Sequence, residues 1–168
     1  IQVSNSGTGS TSVTASGVVT SKTYNGIHVR NASTAKDLTV TAAEVSGGDS
    51  GIYVANLGTG TTSVTATGDV AGANYSGINV SAYGTDLTVA AARVSGDDYG
   101  ILAFNSGSGA TTVTASGDVA GKNSDGIRAI TVGTNLTVTA AKVSGGDYGI
   151  YAGNNGTGTT SVTTTGAV

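Results

Sequence analysis

The sequence predicts an all-β fold, a parallel β-solenoid of about seven coils, and three observations predict it. First, a Gly-Ile pair recurs along the 168 residues, with isoleucines at 27, 52, 78, 101, 127 and 150, and Ile1 holds the same position, in steps of 23 to 26. Internal repeats of this length mark solenoids, propellers or arrays. Second, a stricter column of valines stands at 13, 40, 64, 89, 113, 138 and 162, in steps of 24 to 27. Third, the runs around these valines alternate apolar and hydroxyl residues, which is the period of a half-buried strand. No run has a helical period, and the 28 glycines and many Ser, Thr and Val oppose helices.

The repeat is a doublet. Residues 51–99 return nearly unchanged as 100–148, a looser copy fills 1–50, and 149–168 begin another. Val64 to Val113 and Val113 to Val162 are both steps of 49 (113 − 64 and 162 − 113). The first doublet is longer because residues 31–37 hold two residues more than their later counterparts. The sequence therefore reads as one solenoid segment, 1–168, in coils of about 23 to 27 residues with three short strands each. A single unit cannot bury its apolar side, whereas stacked units bury a continuous core. The chain opens and closes within a coil and shows no capping segment, so it reads as an excerpt of a longer array.

Within each coil the first strand starts at the Gly-Ile pair. Four residues after each isoleucine lies an asparagine column: Asn5, Asn31, Asn56, Asn105 and Asn154, broken by Ala82 and Thr131. Asparagine tolerates the left-handed backbone of a tight corner, and its amide can bond its copy one coil away. That predicts a stacked amide ladder at the corner. The second strand carries the central valine. In Leu136-Thr137-Val138-Thr139-Ala140 the apolar side chains point inward and both threonines outward. The third strand carries Val19, Val45, Val70, Val94, Val119, Val143 and Val168. Just before it stands a column of charge: Glu44, Asp69, Arg93, Asp118 and Lys142. Opposite signs one coil apart predict register-fixing pairs of Arg93 with Asp69 and Asp118, and of Lys142 with Asp118; Glu44 beside Asp69 is the like-charged exception.

Composition excludes several chemistries. With no cysteine there is no disulfide or thiolate metal site. The seven basic residues do not cluster and the net charge is −3, which argues against nucleic acid as a partner. His28, the single histidine, lies between Ile27 and Val29 and should point outward, so a catalytic triad or transition-metal site is not expected. Asp49, Asp97, Asp98 and Asp147 fall in a corner that repeats with the coils. Repetition marks scaffold, so no enzyme, no cofactor and no metal is expected. The calcium-binding glycine-rich nonapeptide is absent.

The surface with most to offer is an outward hydroxyl array flanking the central valines. Its members are Ser12 and Thr14, Thr39 and Thr41, Ser63 and Thr65, Thr88 with Ala90, Thr112 and Thr114, Thr137 and Thr139, and Ser161 and Thr163. Such flat T-x-T arrays look like those of ice-binding solenoids, although threonine is also a good exposed strand residue. The tyrosines at 24, 53, 75, 83, 99, 148 and 151 face outward or sit at corners, where they pack or meet sugars or other fibres.

The phrases SVTATGDVAG (63–72), LTVTAAKVSGGDYGIYAGN (136–154) and NNGTGTTSVTTTG (154–166) resemble the repeats of large bacterial autotransporter passengers. That resemblance covers essentially the whole chain. It implies a right-handed, pectin-lyase-like β-helix, a Gram-negative protein at the cell surface or secreted across the outer membrane, and adhesion, aggregation or spacing as its role. Partners would be host or neighbouring-cell surfaces, glycans or like fibres, with self-association through open coil ends. No functional residue carries over, because such repeats share no motif of chemistry. Ice is the partner in the alternative reading of the threonine face.

Overall fold

Residues 1–168 are all described by the structure, a computed structural model. They form a parallel β-solenoid of about seven turns with no helix. First strands are Gln2–Asn5, Ile27–Asn31, Ile52–Asn56, Ile78–Ala82, Ile101–Asn105, Ile127–Thr131 and Ile150–Asn154, and they make one seven-stranded sheet in that order. Second strands Thr11–Ala15, Leu38–Ala42, Thr62–Ala66 and Leu87–Ala91 stack beside them. Third strands Val19–Thr20, Val45–Gly47, Val70–Gly72 and Val94–Gly96 close each coil. In the next two coils the second and third strands run together as Thr111–Gly121 and Leu136–Ser144, joining both ladders into one sheet; Thr160–Thr164 ends the second ladder.

That fusion departs from the expected three separate strands, and linker length explains its irregularity. Ser116-Gly117-Asp118 joins Ala115 to Val119, whereas only Ala141-Lys142 joins Ala140 to Val143. The extra residue forces a register shift between Ala115 and Asp118, as a β-bulge does.

The inward columns follow the strand period. Ile27, Ile52, Ile78, Ile101 and Ile127 are fully buried, and so are Val40, Val64, Val89, Val113 and Val138. Each isoleucine pairs directly with its copy in the next coil. Alternate coils differ at the start of the second strand, where Leu38, Leu87 and Leu136 alternate with Thr11, Thr62 and Thr111. All six side chains are buried. One cluster of 31 buried apolar residues threads the coils, so there is a single continuous core.

The glycine before each isoleucine is a matter of space. No residue has a positive φ, glycine included. A Cβ at Gly51 would lie 2.6 Å from Val70 Cγ1 and 2.7 Å from the Gly77 carbonyl oxygen, so backbone and third-strand valine meet too closely for a side chain.

The asparagine column is real but works differently from the expected ladder. Without left-handed residues, each asparagine simply ends a first strand. Asn31, Asn56 and Asn105 are fully buried. Their amides hold corner backbone, not one another. Asn56 Oδ1 accepts from Gly58 N–H (3.1 Å), while its Nδ2 donates to Thr61 O in its own coil and Lys36 O in the previous one (both 3.2 Å). Asn105 repeats this with Gly107 N–H (2.9 Å) and Thr85 O (3.0 Å). Where Thr131 replaces asparagine, its Oγ1 accepts from Gly133 N–H (3.1 Å) in the same way. Part-buried corner carbonyls of two successive coils converge on each of these positions, and a buried amide with two donors and an acceptor is the residue that satisfies them.

The alternation yields a direct test. Ile101→Ala should destabilise the fold by about 2–5 kcal/mol, whereas Leu102→Ala, one residue on and facing outward, should cost about 1 kcal/mol or less. Paired denaturant melts of the two variants measure this, and equal losses would mean the inward assignment is wrong.

Candidate functional site

Outer surfaces of the first and second strands have different chemistry. On the second strands, every expected hydroxyl residue stands in one of two straight columns. Ser12, Thr39, Ser63, Thr88, Thr112, Thr137 and Ser161 are register partners, and so are Thr14, Thr41, Thr65, Ala90, Thr114, Thr139 and Thr163. None is buried. Hydroxyls just outside the columns fold back on the backbone, Thr67 onto Ala42 O (3.4 Å) and Ser116 onto Ala91 O (3.3 Å), whereas the column hydroxyls stay free for solvent. The face is not uniformly flat. A shallow hollow of about 390 Å³ opens around Ala90, between Thr65 and Thr114.

The first-strand face gathers the aromatic residues. All seven tyrosines and the single phenylalanine lie in a first strand or within three residues of one. Core packing does not require this, since Tyr24, Tyr75, Tyr83 and Tyr148 are between 50% and 73% exposed. At one end, His28 points outward between buried Ile27 and Val29, and its ring meets Tyr53 edge to face with centroids 4.8 Å apart. Around them runs a furrow. A hollow of about 450 Å³ is bordered by Asn25, His28, Arg30, Tyr53, Ser81 and Tyr83. Hollows of about 510 and 230 Å³ continue it and share Asn25 with it. Asn25 is held in place, its Oδ1 accepting from Ser50 N–H at 3.0 Å.

At the other end lies a charged cluster that sequence reasoning missed. Asp125 occupies the buried corner position of Ser50 and Ser76 and is only 2% exposed. Its Oδ1 accepts from Tyr148 N–H (3.2 Å), and Oδ2 is 3.5 Å from Arg128 Nε. Arg128 Nη1 donates to the Tyr99 hydroxyl (3.0 Å), and the guanidinium carbon lies 4.7 Å from the Tyr151 ring centre. The Tyr99 hydrogen bond, opposed by burial and helped by the charge of Asp125, holds the guanidinium above its ordinary pKa. A buried carboxylate needs such a partner, because one left alone is strongly destabilising. The aspartate three residues before an arginine, in a slot that holds no other charged residue in any coil, was the available signal.

The charge column forms one of its expected pairs. Arg93 reaches Asp69 at 3.1 Å with both side chains largely exposed, whereas Asp118 and Lys142 are register partners without closing to ion-pair distance. Arg93 makes no ion pair with Asp118. Of the corner aspartates, Asp97 binds Lys122 at 2.8 Å, and that contact holds the ammonium above its ordinary pKa. No group of three or more His, Asp or Glu side chains converges anywhere.

A further device recurs in alternate coils. Asp37 Oδ1 accepts from the N–H (2.9 Å) and hydroxyl (3.0 Å) of Thr61 in the next coil. Asp86 does the same for Ala110 N–H (2.8 Å), and Asn135 for Thr159 N–H (3.0 Å). The Thr61 N–H, then the Thr61 and Ser10 hydroxyls, pull the Asp37 pKa below its ordinary value. The clamp's charged contribution is therefore present above the unfolded-state pKa and lost as pH falls through the lower folded-state one.

No protein-family model matches the chain, and neither does any curated protein or solved structure.

Because Asn135 performs the clamp without charge, Asp37→Asn should keep the fold and remove this acid sensitivity. Wild type should be the more stable by less than about 1 kcal/mol at neutral pH, given solvent screening. That margin should shrink as pH drops through the folded-state pKa of Asp37, as followed by melting curves across the acid range.

Proposed function

We propose that this chain is a structural and adhesive segment of a bacterial surface or secreted protein, a rigid stalk that offers many weak, repeated contacts to host cells, neighbouring cells, glycans or like fibres. The observation that carries this reading is the in-register stacking of every exposed column. Each outward position has a register partner about 4.8 Å away in the next coil, nearly always a hydroxyl again in the second-strand columns and a varied residue on the first strands. Contacts that are weak singly then sum through effective concentration. The aromatic first-strand face supplies the contact chemistry, and the continuous core supplies the stiffness. The autotransporter-like phrasing of the repeats supports a location outside the cell, reached by export across the outer membrane.

Particles coated with the purified chain should attach to bacterial or host-cell surfaces, or to one another. Attachment should rise more steeply than coating density and be competed by the soluble chain. Particles that stay dispersed and unattached at every density would overturn this reading.

One observation favours a second reading, ice binding: the two straight Ser/Thr columns with free hydroxyls. The hollow at Ala90 counts against it. Thermal hysteresis and ice-recrystallisation inhibition, measured beside a Thr112→Tyr, Thr137→Tyr double variant, decide it. Activity that disappears in the variant would establish the hydroxyl face as functional; inactivity of the wild type would remove ice from consideration.

A further inference from the structure

We propose that the furrow around Tyr53 is a binding site for an anionic oligosaccharide, with Tyr53 and Tyr83 as stacking platforms and Arg30 as the anion-binding group. The inference rests on the adhesive reading and names its ligand class and its place.

The Arg30 guanidinium is exposed and uncommitted. The chain's three ion pairs use Arg93, Lys122 and Arg128. Arg30 borders two hollows, of about 450 and 430 Å³, that no acidic side chain lines, while Asp49 borders the adjoining 230 Å³ hollow and leaves the Arg30 end as the one suited to an anion. A free planar fork of donors fits a carboxylate or sulfate in bidentate fashion. Beside it, the Tyr53 ring is braced by His28 and only partly exposed, so little ordering is needed when a ligand arrives. An aromatic face is negative, and the C–H groups on one side of a sugar ring are its natural complement. Asn25 and Ser81 add an amide and a hydroxyl on the same border, the donors and acceptors that sugar hydroxyls require.

A peptide is the less suitable occupant. Backbone groups of the first strands are already used in the coil-to-coil ladder on both sides, so a peptide cannot add as a strand here. The furrow also lacks a deep apolar pocket for an anchoring side chain. A saccharide needs neither.

Sialyllactose, lactose, a heparin-derived oligosaccharide and an oligoglutamate peptide, titrated into the chain and followed by NMR, test the assignment. Shifts should centre on Tyr53, Tyr83 and Arg30 and be larger for the two charged saccharides than for lactose. Sialyllactose carries a carboxylate alone and the heparin oligosaccharide carries both carboxylates and sulfates, so a preference for heparin that is lost with its desulfated form assigns the anion as sulfate, and a preference for sialyllactose assigns it as carboxylate. Arg30→Gln should weaken the charged saccharides by about tenfold, the worth of a charged hydrogen bond, and leave lactose unchanged. Tyr53→Ala should abolish saccharide binding, and Tyr83→Ala should weaken it if Tyr53→Ala proves unstable. Lactose binding as tightly as sialyllactose, oligoglutamate binding as tightly as the saccharides, or indifference to all three substitutions would overturn the proposal. Cell attachment that persists without any saccharide binding would overturn the furrow assignment alone, whereas loss of attachment altogether strikes the adhesive reading beneath it.

Discussion

Parallel, in-register pairing of each coil with the next is the constraint on which everything else depends. Of 112 backbone hydrogen bonds, 52 lie outside the regular strand ladders, and many of them join a corner to the corner of the next coil. Once corners must stack, their polar groups need partners and their backbones need room. The buried asparagines answer the first demand inside the coil, the aspartate clamps answer it at the exposed surface, and the glycines before each isoleucine answer the second. The core is an answer too, since identical positions face each other and a column of isoleucine or valine fills itself.

The doublet is the true unit of this stack. Leucine and threonine alternate at the inward start of the second strand, three-residue and two-residue links alternate after it, and the side-chain clamp onto the next coil appears at 37, 86 and 135. Within this unit, buried Thr62 receives a hydrogen bond from Asn56 Nδ2 of its own coil at 3.0 Å, while the leucines paired with it in the adjacent coils need no partner.

Strands, coil count and inward columns were legible in the sequence because they repeat, and repetition converts a weak local preference into a fixed register. Ile52, Val64 and Val70 could be placed from spacing alone. The asparagine column was legible as a column, but not its partners, since those are backbone groups of an adjacent corner and spacing says nothing about them. Asp125 and Arg128, and the furrow of His28, Arg30 and Tyr53, were hidden for the opposite reason. They break the repeat, and a residue that occurs once carries no periodic signal. The hydroxyl columns of residues 39, 41, 63, 65, 88, 112, 114, 137, 139, 161 and 163 were found where expected, because strand alternation dictates them.

The direction of the backbone hydrogen bonds has a mechanical consequence. They run along the solenoid axis, from coil to coil. Compression or bending presses or tilts the stack as a whole, and the columns share the load. Tension between the two chain ends acts differently: it pulls along the same bonds and opens them one coil at a time, as a zipper opens. Such a molecule is a good strut and a poor rope. A partner gripped at many coils along its flank would load the bonds sideways and together, and would hold against forces that peel a grip at the tip.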